Sequence, residues 1–244
     1  MENRSTNYVY DNVTQINDTD ASRKFIANVF LWMFVALGLS AFCAFYFAND
    51  PTLLSMLRNP ETGGNTGLGT VVMFAPLAFV LLISFGFNRL SYGVLIVAFI
   101  AFAIVMGMSL SYILLAYTAS SVLGVFITTS VLFGVMAVAG YTTQQDLTKF
   151  GSILIMFLIG IVVASLVNMF LRSSGLDMII SYIGVAVFVG LTAYDVQKLK
   201  RIGEGIEYGD ASANKMVIMG ALTLYLDFIN LFIMLVRLFG GRKD

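Results

Sequence analysis

Histidine is absent from this 244-residue chain. That one absence removes imidazole metal sites, Ser–His and Cys–His nucleophile pairs, and histidine-based pH sensing. Cysteine occurs once, at Cys43 inside an apolar run, so no intrachain disulfide can form. It reads as a small core or lipid-facing residue. Charge is scarce as well: 11% of residues are charged, where a soluble domain carries about 25%. Fourteen basic residues balance fourteen acidic ones, which gives no electrostatic basis for a nucleic-acid partner.

What fills the space is apolar. Hydrophobic residues make up 59% of the chain and the mean hydropathy is +0.88. No single core buries that much apolar surface, so the solvent is lipid and the bilayer is the first partner. Residues 1–24 are polar, lack the apolar core and cleavage site of a signal peptide, and read as a flexible cytoplasmic tail. Residues 25–244 then form one transmembrane domain.

Gaps between charges mark the spans. They run over 25–48, 69–87 with Pro76 near the middle, 92–117, 121–140, 152–171, 178–197 and 216–240. Leu90 to Gln145 carries no formal charge and is too long for one crossing of about 20 residues, so "TASS" at 118–121 divides it. Leu53 to Leu57, in the long first connection, forms a short apolar patch near the membrane surface. Such lengths predict helices rather than barrel strands, hence an all-α fold of seven transmembrane helices. Lys and Arg are concentrated in the N-terminal tail and the second, fourth and sixth connections, which predicts a cytoplasmic N-terminus. The basic C-terminal "GGRKD" then falls on the outer side, against that rule. Either the seventh segment crosses fully, or it re-enters and leaves the tail inside.

Two acidic residues lie within spans: Asp195 in "GLTAYDVQKLK" and Asp227 in "LTLYLDFINLF". A carboxylate at bilayer depth costs about 2.5–3.5 kcal/mol on insertion scales, so each needs a partner or a use. Their helices are consecutive and antiparallel and can be neighbours. A seventh helix entering the hydrocarbon at Met216 would put Asp227 about 16 Å deep against about 5 Å for Asp195. Entry near Ala221 reduces the first figure to about 10 Å, which brings the pair within reach of a modest tilt. Gly220, Thr223 and Asn230 share the face of Asp227, giving a small, polar stripe that suits a protein interior or a cavity. A structural hydrogen bond or a helix-packing contact is the plain alternative. Arg89, in the turn after the second span, is accounted for by ordinary positive-inside anchoring.

"LTAYDVQKLK" followed by "ALTLYLDFINLFIMLVRLFG" resembles the C-terminal signature of the Bax-inhibitor (transmembrane Bax inhibitor motif) family. "DLTKFGSILIMFLIGIVVASLVNMFL" is similar to its bacterial members. The resemblance covers the chain after about residue 20. It implies a seven-helix protein of the bacterial inner (plasma) membrane that leaks calcium passively and in a pH-dependent way, without a cofactor. It further implies that Asp195 and Asp227 form a hydrogen-bonded pair acting as proton sensor and cation site, and that Arg89 pairs with one aspartate as a gate.

The chemistry of two carboxyls is compatible with that role. They titrate as a unit; one shared proton locks two helices, and its loss leaves a hard, oxygen-lined dianion suited to calcium. Two carboxylates are too few for a complete calcium cage, so backbone oxygens or water must add to them. Two other classes stay open beside a proton-coupled transporter, against which the lack of internal repeats argues. One is a non-transporting regulator acting through other membrane proteins. The other is an intramembrane aspartyl protease, which Tyr194–Asp195 fits but "LYLD", without Gly-x-Gly, does not.

Overall fold

The computed structural model describes residues 18–205 and 211–243; the sequence-based tail at 1–17 and the stretch 206–210 lie outside the described residues. Eight helices follow in order: α1 (Asp18–Asn49), α2 (Pro51–Leu57), α3 (Gly67–Gly86), α4 (Tyr92–Ala116), α5 (Ala119–Thr142), α6 (Thr148–Leu171), α7 (Ser174–Glu204) and α8 (Ala211–Phe239). All but α2 are long and apolar enough to cross a membrane, seven in total. No strand occurs among the described residues. Helix α1 begins at Asp18, so it takes in residues 18–24 of the stretch assigned to the tail.

Helix boundaries follow local chemistry. Asp50 accepts from Thr52 N (2.8 Å) and Leu53 N (3.1 Å), with Pro51 at the first helical position, and so starts α2. Leu57 of that short helix is fully buried, and α2 packs against α1 and α3. Thr66, Ser91 and Ser173 cap α3, α4 and α7 with their hydroxyls. Pro76 is accommodated inside α3, which runs unbroken past it.

The outward faces are apolar. Phe85 is 82% exposed and Phe170 80%, and many Leu, Val and Ile side chains accompany them. A water-soluble monomer does not display such a surface; acyl chains are its solvent. The most enclosed helix is α8, where Tyr225, Ile218, Leu224 and Leu231 have no exposure at all. Around it run α4, α1, α7 and α5, each packed on the next except α5 and α4, which share no packed interface. Helix α3 lies against α4, and α6 against α7.

The seventh crossing is complete. Helix α8 is continuous to Phe239, and the segment after it meets the α4–α5 connection: Thr118 N donates to Gly241 O (2.8 Å) and Lys243 N to Ala116 O (3.0 Å). The opposite end of the bundle gathers the start of α1 and the end of α7, where Ser22 Oγ donates to Lys200 O (3.2 Å). A re-entrant seventh segment is therefore ruled out.

Candidate functional site

Asp195 lies in the second half of α7 and Asp227 near the middle of α8. At 1.5 Å per residue, Asp195 is about 14 Å from the end of α7 and Asp227 about 24 Å from the start of α8. Helix α8 thus begins about 10 Å farther out than α7 ends, and this overhang brings the two residues to one level. Gly220 permits it: a Cβ there would come within 2.7 Å of Leu199 Cδ2 and 3.1 Å of Val29 Cγ2, so α8 lies tight against α7 and α1.

Asp195 and Asp227 come side by side, each within the other's electrostatic reach. Asp227 is only 5% exposed, while Asp195 is half-buried. Asp227 Oδ2 is buried and receives no N–H or O–H donor from another side chain or the backbone. Carboxylates only accept hydrogen bonds, so a bond between two of them needs a proton on one. A single shared proton satisfies the pair; without it, two negative charges face each other in an apolar interior.

Around the pair, polar groups are already committed. Thr192 Oγ1 donates to Phe188 O (2.7 Å), Thr223 Oγ1 to Met219 O (3.0 Å) and Asn230 Nδ2 to Leu226 O (2.8 Å). The stripe on α8 therefore faces protein and cavity, but Thr223 and Asn230 bond back to their own helix. Lys198, one turn beyond Asp195, is the cation whose field reaches that carboxyl. Arg89 is exposed in the α3–α4 turn and forms no ion pair among the described residues, so the structure does not bring it to the aspartates.

Cavities approach from both ends. One of about 320 Å³, near the end of α7, is lined by Thr148, Tyr194, Gln197, Lys198, Arg201 and Ile202, the immediate neighbours of Asp195 among them. A cleft of about 540 Å³ opens at the other end between α6, α7 and α8 and reaches Asn230, one turn from Asp227. At that end Arg237 Nη1 pairs with Asp177 Oδ1 at 3.0 Å. The two recesses lie toward opposite ends of the bundle, with mixed polar and apolar linings that include neither aspartate. Among the described residues no group of three or more Cys, Asp or Glu side chains converges, so a cation at the pair would complete its shell with carbonyls and water.

Several contributors were not singled out from sequence. Gln197 clamps the α5–α6 connection, accepting from Leu147 N (2.9 Å) and donating to Gln145 O (2.7 Å). Gly140 lies directly against the backbone of Ala193, and Gly151 against the Tyr194 ring, leaving no room for a side chain at either point. Tyr225 Oη and Ser40 Oγ are 2.7 Å apart, and Ser40 Oγ lies 2.7 Å from Ala103 O. Glycine spacing could have indicated the close contacts; the other pairings are long-range and leave no local signal.

Seven apolar helices enclosing two neighbouring carboxyls define a polytopic membrane protein with acidic side chains in its interior. The family described as "Inhibitor of apoptosis-promoting Bax1" matches over residues 22–244. "Inner membrane protein YbhL" of Escherichia coli is 48% identical over 220 residues, covering 90% of this chain and 92% of that one. "Uncharacterized protein RP147" of Rickettsia prowazekii is 42% identical over 91% of each chain. A protein of Borreliella burgdorferi is 39% identical over 91% of this chain and 93% of its own. The chain belongs to the Bax inhibitor family, as a bacterial member, and is a multi-pass protein of the inner membrane.

Proposed function

We propose that this protein is a passive, pH-sensitive calcium leak in which Asp195 and Asp227 share the controlling proton. The observation that carries the reading is the approach of two carboxyls in the bundle interior, with buried Asp227 Oδ2 lacking any hydrogen-bond donor. With the proton in place, α7 and α8 are fastened together. With the proton gone, the carboxylates repel and offer anionic oxygens to a hard cation. The recesses on either side are then the approaches, and the pair is the barrier between them.

In this reading the pair is both pH sensor and cation site, calcium and protons are the small partners, and calcium is cargo rather than cofactor. Arg89 belongs to a second closed arrangement, in which the α3–α4 turn moves to cover the mouth nearest Asp195. This reading makes the protein a conduit; against an aspartyl protease, α8 lacks a glycine beside Asp227 that would let a substrate backbone approach.

The test is calcium entry into liposomes that hold only this protein, measured across pH. The expected result is a leak above that of empty liposomes, varying with pH in the wild type and less so in Arg89→Gln. Tight liposomes at every pH would refute the leak and favour a regulator that acts through other membrane proteins.

A further inference from the structure

The ring of helices around α8 is open between α4 and α5. In that opening lies a cavity of about 520 Å³, with walls that include Leu110 and Val122 and a floor that includes Phe228 and Phe232 of α8. Its lining is apolar except for Ser40, whose hydroxyl is already bonded to Ala103 O. Cavities of this size and lining hold apolar ligands. On its rim, Leu123 is 60% exposed and Phe45 64%. These residues lie within membrane-length helices, where the surrounding medium is acyl chain.

The floor of the cavity lies about one leaflet below the end of α8. From Phe239 to Phe228 is about 16 Å along α8, against about 15 Å for half of a hydrocarbon core. Its upper end is basic. Arg242 bridges to Tyr117, between the cavity-lining Leu114 and Ala119, and is exposed. Lys243 Nζ donates to Leu114 O at 2.8 Å. No side chain caps the start of α5, so its first-turn N–H groups add to the attraction for an anion. These cations belong to the "GGRKD" tail, whose charge runs against the positive-inside pattern.

We infer that the α4–α5 opening is a phospholipid site, with one acyl chain in the cavity and an anionic headgroup phosphate held by Arg242 and Lys243. The bilayer supplies this ligand at the right depth, and the apolar and cationic parts are placed one above the other as its tail and head require. The basic tail thereby has a partner on the membrane face where positive-inside statistics leave it unexplained.

The experiment uses the full-length protein purified in uncharged detergent, with phosphatidylglycerol as the probe. Lipid retention is read by native mass spectrometry and stabilisation by the shift in melting temperature. Wild-type protein is expected to retain phosphatidylglycerol and melt at higher temperature with it, and to respond little to uncharged diacylglycerol or inorganic phosphate. The double variant R242Q/K243Q is expected to lose retention and shift, with its lipid-free melting temperature unchanged. Ala119→Phe, which fills the cavity from its wall, should do the same. Equal retention by all three proteins would mean non-specific annular lipid and overturn the inference. So would an equal shift with inorganic phosphate alone, or a second copy of the chain covering the opening. None of these readouts depends on calcium flux.

Discussion

Asp227 and Asp146 are chemically the same side chain in opposite surroundings. Asp227 is buried and faces another carboxyl. Asp146, in the α5–α6 connection, accepts from Thr148 Oγ1 (2.6 Å) and N (3.0 Å) and pairs with Arg201 (2.9 Å). Those contacts, the Thr148 bonds foremost, hold its carboxyl down at about 2. Its folded pKa lies below the unfolded value of about 3.9, so its stabilisation is present above that value and disappears as pH falls through about 2. Asp146→Asn should therefore lower the melting temperature at pH 7 and leave it unchanged near pH 2. At neutral pH Asp146 does not titrate and cannot serve as a sensor there. For the buried pair, Asp195→Asn or Asp227→Asn should keep the helical content, because the amide is nearly isosteric and still hydrogen-bonds. Each loses the exchangeable proton, so calcium leak measured in liposomes should become flat with pH. A pH response undiminished in both variants would remove the pair from the mechanism.

At the scale of the element, α8 is held by two different kinds of contact. On one face Tyr225 is fully buried between Phe99 and Phe102, both edge-on to it, with its hydroxyl at Ser40. Tyr225→Phe keeps the ring packing and removes one hydrogen bond, while Ser40 retains Ala103 O. A loss of about 1 kcal/mol is expected, read as reduced thermal stability in detergent. Another face carries Asp227 to α7, and α7 in turn depends on close approach to α5. Gly140→Val would drive a side chain into Ala193, two residues before Asp195. Overpacking of that kind costs about 1–3 kcal/mol, and the displaced α7 should also disturb the aspartate pair. A drop in both melting temperature and pH response is the expected outcome. The helix signal for α8 was strong in sequence because its apolar run is long. Its position as the central helix was not, because a segment apolar on all sides does not say whether lipid or protein surrounds it.

For the whole molecule, seven crossings put the ends of the described chain on opposite faces. Residues near Ser22 meet the end of α7, and Lys243 meets the α4–α5 connection. In a background without Cys43, Glu204→Cys, at the exposed end of α7, and Lys243→Cys should be labelled from opposite sides of the membrane by an impermeant thiol reagent. The positive-inside count predicts that the Glu204 end is the cytoplasmic one. Labelling of both from one side would contradict the full crossing of α8.

Composition and the spacing of charges sufficed for an all-helical, sevenfold-spanning protein, because lipid imposes a length and an apolarity that can be counted along the chain. The two intramembrane aspartates were equally legible, since a carboxylate in an apolar run stands out whatever the fold. Helix overhang was not, and it decides whether Asp195 and Asp227 meet; it depends on how closely Gly220 lets α8 approach α7 and α1. Nor could sequence place Arg89, whose reach depends on the spatial position of a turn rather than on its neighbours in the chain. The open side between α4 and α5 is likewise a tertiary property. It exists because α5 packs on α7 and α8 while α4 packs on α1, α3 and α8, leaving two consecutive helices apart.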